Sequence, residues 1–366
     1  MKRVLVLNKS NPGGVAWFRV NAPWSAVQKQ FRDEIVVDFT SIQNGDKGPS
    51  WPDFVQYDWF VVHSPTHPKI LKMIEEALYF GCRLWIDFDD LVMSVPTSNA
   101  ASRFFDDNST RVSMSAVAMA LQNNGVVSVS TSALKDEIES RLKMRTKKSV
   151  RVIQNAHDDC FVDIPPSARP ANIVPHVVWR GSGTHDGDLL PVRNAFRDFQ
   201  IKKVGDKMTG IRYIFFGHLP YMFEKIRGGH LEIKNVKSLK NGMKPEDNAI
   251  YIPWNQNFMS YQIQLRGTSP DYIVVPLVDD AFNRCKSNIA WIEATNAGAV
   301  TIAPSYLPEF ADLPCIHYKT EAELAKILRS IAGGKDMKGD MLERSRELLN
   351  EKYRLSDMAR RRFELL

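Results

Sequence analysis

Short apolar runs alternate with amphipathic stretches along the first half of the chain. RVLVL (3–7), EIVVDF (34–39), DWFVVH (58–63), CRLWIDF (82–88), GVVSVS (125–130) and VRVIQN (150–155) read as strands. Residues 17–31, 67–80, 111–123 and 131–143 carry helical spacing between them. The runs are apolar at successive positions rather than at every second one. Strands covered on both faces need that pattern, so it predicts a parallel sheet between helical layers. DIPPSARPAN (163–172) then interrupts with proline and polar residues and reads as a linker. The alternation restarts with strands at 176–182, 211–217, 231–236, 249–254, 272–277 and 299–304, and helices at 187–199, 257–267, 286–297 and 320–331. A helix at about 338–352 and a polar tail close the chain. The expected architecture is α/β, with two doubly wound, Rossmann-like domains (1–165 and 166–340) facing across a cleft. Residues 341–366 form a helix and tail expected to pack back on the first domain.

The length, 366 residues, suits two domains, and 44% apolar with 25% charged residues is an ordinary globular balance. No apolar run is long enough to span a bilayer, and MKRVLVLNKSNPGG reads as a buried first strand rather than a signal peptide. Cys82, Cys160, Cys285 and Cys315 lie far apart without CxxC spacing, so neither a zinc site nor a disulfide framework is expected, and a reducing cytoplasm fits. A net charge of +6 permits a polyanionic partner. The basic runs at 141–151 and 358–363 read as solvated helix faces or turns.

In open α/β sheets ligands sit beyond the carboxyl ends of the strands, so the loops following strands carry the candidate chemistry. After the first strand, Gly13 and Gly14 admit a ligand close to the backbone, and Arg19 follows about one turn into the helix. This is not GxGxxG, which argues against a nicotinamide or flavin site. His63 ends the third strand, where it can bond a substrate hydroxyl or serve only as a turn residue. Asp87, Asp89 and Asp90 follow the fourth and read as a base, a helix cap or, less favoured, divalent-metal ligands.

In the second domain Arg180, with Gly181, Ser182 and Gly183, suits a diphosphate: a forked donor beside open backbone amides. His185 and Asp188 read as loop and cap residues, and Trp254 as a base-stacking or packing aromatic. VDDAFNRCKSNIAWIEATNAGAVTIAP (278–304) gathers Asn283, Arg284, Lys286 and Ser287 at an expected helix start. That is a seat for a phosphate, and Glu293 lies two turns on where a carboxylate can take both hydroxyls of a ribose.

With these residues in place, the chain resembles GT-B glycosyltransferases of a divergent family 4 type, over nearly its whole length. VPLVDDAFNRCKSNIAWIEATNAGAVTIA resembles the donor motif of that family. WIDFDDL, VVSVSTSAL, VIQNAHD, GSGTHDGDL and GGVAWFRVNAP resemble further pieces in the same order. The resemblance implies a retaining, metal-independent transfer from a sugar nucleotide, a UDP-sugar, with no other cofactor. The nucleotide would sit on the second domain and the acceptor mainly on the first. It implies that Glu293 holds the ribose and that Lys286 and Arg180 hold the diphosphate. His63 and Asp89 would then face the transferred sugar or acceptor, with Arg19 and Asp90 on the acceptor side. Many members carry a second Glu eight residues before this one, where Cys285 stands here. The acceptor expected is a hydroxymethylated base in DNA, as in bacteriophage transferases acting in the host cytoplasm. The alternatives are a cell-surface glycan or lipid-linked acceptor, a sugar-nucleotide epimerase, and a non-catalytic nucleotide- or nucleic-acid-binding protein.

Overall fold

The computed structural model describes residues 1–8, 14–42, 48–49, 51–142, 150–161, 174–196, 201–219, 233–235, 249–255 and 257–366. The linker expected at 163–172 and Gly13 lie outside these residues.

The first sheet has six parallel strands: β1 (Lys2–Asn8), β2 (Ile35–Ser41), β3 (Trp59–His63), β4 (Arg83–Phe88), β5 (Val126–Val129) and β6 (Arg151–Val152). Their order is β2-β1-β3-β4-β5-β6. The second lobe begins with β7 (His176–Gly181), followed by the antiparallel pair β8 (Lys202–Val204) and β9 (Lys207–Thr209). It continues with β10 (Arg212–Gly217), β11 (Ile233–Asn235), β12 (Ala249–Pro253), β13 (Tyr272–Val274), β14 (Val300–Pro304) and β15 (Ile316–Tyr318). Seven of these make a parallel sheet in the order β11-β12-β10-β7-β13-β14-β15. Strand order reverses between β1 and β3 in one lobe and between β7 and β13 in the other, and such reversals are where a crevice opens beyond the strand ends.

The central strands of both sheets are buried along their lengths, Trp59–Val62 in β3 and Arg212–Gly217 in β10 for example, as the unbroken apolar runs require. Helices cover both faces, among them α1 (Ala22–Gln30), α2 (Pro68–Tyr79), α3 (Asp107–Gln122) and α4 (Ser132–Arg141) in the first lobe. The second lobe carries α5 (Phe258–Gly267), α6 (Ala281–Arg284), α7 (Ile289–Ala297) and α8 (Glu321–Ala332). Residues 17–21, just before α1, wind as a π-turn. Pro23 lacks an N–H and its ring crowds the carbonyl four residues back, so the wider turn relieves that clash.

Three expectations are corrected. Where a helix is read at 187–199, the described residues form a single α-turn, Asp186–Leu189, followed by a 3-10 segment, Leu190–Phe196. Pro191 lacks the N–H that a continuing α-helix would use. The expected helix at 286–297 starts later, at Ile289, and a separate turn, α6, is capped by Asp280, whose carboxylate accepts from Asn283 N at 2.7 Å. The polar tail is also helical. After α9 (Met341–Lys352), which packs on α7, α10 (Leu355–Leu365) crosses back and packs on α1. Leu355, Met358 and Ala359 join the cluster of Val4, Val6, Trp24 and Trp85, and Arg362 in the basic run is buried rather than solvated.

Gly217, at the end of β10, has φ +98°, and a Cβ there would lie 2.7 Å from Gly181 O and 2.9 Å from the Trp254 ring. Gly217→Ala is expected to cost about 1–3 kcal/mol through backbone strain alone, read as a shift in the urea-unfolding midpoint. An unchanged midpoint would mean that the strand end relaxes freely.

Candidate active site

The carboxyl ends of the two sheets face each other across a cleft of about 660 Å³, lined by residues of both lobes. On the second-lobe wall, Arg180 is the penultimate residue of β7. Its Nε lies 2.7 Å from Glu293 Oε2, as an ion pair without the alignment of a hydrogen bond. Glu293 is carried by α7, and its carboxylate also accepts from Tyr261 OH (3.3 Å) and Gln262 Nε2 (3.0 Å). Burial pushes the Glu293 carboxyl up, and Arg180 and the two hydrogen bonds pull against that push. Glu293 is therefore buried among polar partners at the cleft wall, not in hydrocarbon. Trp254 leans on Tyr261, ring centroids 5.1 Å apart, and keeps 44% of its surface exposed at the cleft. Gly181 and Ser182 line the same wall; a Cβ on Gly181 would meet the Trp179 ring at 2.7 Å.

Lys286 and Ser287 lie in the connection between α6 and α7, and Ile289 and Ala290, the first residues of α7, face the cleft with them. Lys286 Nζ reaches across to the first lobe and donates to Asp90 Oδ1 at 2.9 Å. Asn155 Nδ2 donates both to Asp89 Oδ1 (2.7 Å) and to Ser287 Oγ (2.8 Å), a second bridge between the lobes. His63, at the end of β3, places Nε2 3.3 Å from Ser64 Oγ, and Ser64 adopts φ +46°. His63, Asp89, Asp90 and Gly14 all line the cleft.

Asp89 and Asp90 are adjacent carboxylates with opposite tendencies. Burial and then the charge of Asp90 raise the Asp89 carboxyl, with Arg19 and Asn155 opposing. For Asp90, burial also disfavours ionisation, but Lys286 outweighs it and holds the carboxyl below its ordinary range.

Three sequence candidates, Arg19, Asp87 and Asn283, stand behind the wall instead of on it. Arg19, expected on the acceptor side, is fully buried and paired with Asp87 (Nε to Oδ2 2.9 Å), while its Nη1 donates to Ile153 O at 2.5 Å. Asp87 accepts from Ser128 Oγ as well and does not line the cleft, so Asp87 and Asp89 do not point into it as an Asp-x-Asp pair. Asn283, expected on the donor, is buried and ties Asp188 Oδ1 (2.9 Å) to Val278 O (3.1 Å). Arg284 pairs with Asp279 at 2.6 Å in solvent and takes no part. The polarity gathered at 283–287 thus divides between a strut, a surface pair and the cleft wall.

Sequence reasoning passed over Tyr261 and Phe282 and read His185 and Asp188 only as loop and cap residues, and all four line the cleft. The spacing of His185 and Asp188, one helical turn apart, was the available sign. Among the described residues no cluster of three or more His, Cys, Asp or Glu forms a metal-binding group, and no helix is long and apolar enough to cross a membrane.

No protein-family model matches the chain, and no curated protein does. Solved structures do match it end to end. An alpha-glucosyltransferase in complex with UDP-glucose and DNA containing an abasic site superposes with TM-score 0.62 at 11% identity, covering 99% of this chain and 98% of that one. The chain has the GT-B glycosyltransferase fold. An alpha-glucosyltransferase in complex with UDP and a 13-mer DNA containing an HMU base also gives TM-score 0.62 at 11% identity, over 100% of this chain and 98% of the other. The alpha,alpha-trehalose 6-phosphate synthase of Burkholderia multivorans gives 0.56 at 9% identity, over 100% and 96%. In this GT-B chain both sheet reversals meet at one cleft, which accounts for candidate residues arriving from positions more than 200 residues apart, His63 at the end of β3 and Glu293 on α7 among them.

Arg19→Met leaves the Asp87 carboxylate buried without its partner and is expected to destabilise the fold by about 3–5 kcal/mol in equilibrium unfolding. A variant that folds with ordinary stability would return Arg19 to the list of ligand-facing groups.

Proposed function

We propose that this GT-B chain moves a sugar from a UDP-sugar to a hydroxyl on a modified DNA base. The observation that carries the reading is the charge layout of the cleft. Two cations, Arg180 near the end of β7 and Lys286 between α6 and α7, stand on the second-lobe wall, and carboxylates and a histidine stand on the opposite wall. A nucleotide diphosphate needs the first set and a hydroxyl acceptor the second. The solved structures of the same fold with UDP, UDP-glucose and DNA support both halves, and a net charge of +6 favours a polyanionic acceptor.

In this reading Glu293 takes the ribose hydroxyls, Trp254 stacks on the base, and Ser182, Ser287 and the amides opening α7 bond the phosphates. Breaking the anomeric carbon–oxygen bond puts positive charge on the sugar and negative charge on the departing diphosphate. Arg180 and Lys286 neutralise the latter where it develops, which requires no metal ion. Asp89 and His63 stand on the acceptor wall. Asp89, with its carboxyl held up by burial and by Asp90, is the better proton acceptor of the adjacent pair. The lobes close on the cleft through Phe282 and Cys285, keeping water from the activated sugar.

The test is incubation of the protein with UDP-glucose and DNA carrying hydroxymethylated or unmodified pyrimidines, followed by mass analysis of the nucleosides. Hexose is expected on the hydroxymethylated base alone. Lys286→Ala is expected to lower kcat by about 10²–10³ while DNA binding persists. If Lys286→Ala and His63→Ala both leave turnover intact, or if sugar nucleotide is consumed without a DNA product, the reading is wrong.

A further inference from the structure

One titratable pair on the donor wall has no part in the reaction as proposed. His185 Nδ1 lies 2.9 Å from Asp188 Oδ2, and both residues line the cleft. Asp188 is itself fixed, its Oδ1 accepting from Val278 N at 3.2 Å and from Asn283 Nδ2 at 2.9 Å. A carboxylate held in this way draws the proton of a neutral imidazole to Nδ1 and leaves Nε2 as the nitrogen a ligand would meet. Among the described residues none hydrogen-bonds that Nε2.

The charged groups acting on the ring come from four elements: Asp188 on its own turn, Arg180 near the end of β7, Lys286 before α7, and Asp90 from the opposite lobe. Burial lowers the proton affinity of the imidazole. Asp188 pulls the other way, and the cations Lys286 and Arg180 add to the depression. In the empty cleft a third cation beside these two would be repelled, so the neutral ring is the stable form.

We propose that His185 is a conditional third cation for the donor: it takes a proton at Nε2 when the diphosphate enters and releases it when the nucleotide leaves. This rests on the donor reading above. A neutral Nε2 turns a lone pair toward a phosphate oxygen, which is repulsive, whereas the imidazolium donates a charge-assisted hydrogen bond. The diphosphate also offsets the charges of Arg180 and Lys286, removing the repulsion that kept the ring neutral. The proton comes from solvent on binding and returns to it on release, so nothing else is consumed. Asp188 acts through His185 and is a positioning residue.

The sign follows. The imidazole is depressed in the empty cleft and raised in the complex, so UDP-glucose affinity is greatest at low pH and weakens as pH rises through the value in the complex. Calorimetric titration with UDP-glucose in two buffers of different ionisation enthalpy counts the protons directly, since this diphosphate diester does not titrate in the range used. Wild type is expected to take up a substantial fraction of one proton near pH 7. His185→Gln is expected to abolish the uptake, flatten the pH profile and weaken binding about tenfold at pH 6.5. Asp188→Asn should weaken both less than His185→Gln does. Uptake that survives in His185→Gln, or its absence in a wild type that binds UDP-glucose, overturns the proposal. A wild type that fails to bind UDP-glucose takes the donor reading down with it.

Discussion

Among the described residues, each Lys or Arg that faces the cleft is matched by a carboxylate: Arg180 by Glu293 within the second lobe, Lys286 by Asp90 across the gap. An unpaired charge in so enclosed a place would be expensive, and matching it keeps both side chains extended toward the space a ligand would fill. The same carboxylates restrain a bound anion, because any phosphate must compete with them for the cations. A diphosphate that drew Lys286 away would also remove the largest influence holding the Asp90 carboxyl down. The proton affinities of Asp89 and Asp90 are thus tied to the occupancy of the opposite wall.

Such pairing across a gap needs lobes held in register, and the packing on either side of the cleft supplies it. Phe282 and Cys285 of the second lobe are buried in the first-lobe cluster around Phe88 and Leu134, and Thr131 Oγ1 donates to Cys285 O at 2.9 Å. In the other direction Trp17 stacks on Phe258 at 5.1 Å, and Phe18 joins the second-lobe core. The α10 helix completes the link by returning to α1 after α9 has packed in the second lobe. Apolar contacts thus set the spacing, and the ion pair and the Asn155 bridge are made within it.

Much of this was legible in the sequence because the features are local. Unbroken apolar runs separated by amphipathic spacing predict buried parallel strands, and a candidate residue at a strand's carboxyl end is brought to the crevice by topology alone. His63 and Arg180 reach the cleft for that reason, whereas Lys286 reaches it from the connection between α6 and α7. What was not legible depends on partners distant along the chain. Nothing near Arg19 announces that Asp87, 68 positions away, will bury it. Nor does anything near Asn283 announce Asp188. The tail misled for a related reason: three consecutive arginines look solvated, yet Arg362 alone turns inward, where burial and then the nearby charge of Arg19 lower its pKa to about 9 while Asp87 supports it. One buried residue per turn is enough to dock a helix, and charge on its other faces hides that in the composition.

Cys285 shows how a local change redistributes chemistry. The resemblance to family 4 transferases places a carboxylate at this position, near the sugar. Here a thiol is buried against the first lobe and pushed up to about 12 by burial, and it offers the cleft neither charge nor a hydrogen-bond acceptor of comparable strength. A carboxylate in the same place would be buried at an apolar interface, which the packing of Phe282 and Cys285 does not allow. The acidic residues that line the cleft are Asp89, Asp90, Asp188 and Glu293, of which Asp188 is held by His185 and Asn283 and Glu293 by Arg180. Asp90 is likewise engaged by Lys286 and Asp89 by Asn155, so each cleft carboxylate among the described residues already has a partner with which a ligand must compete.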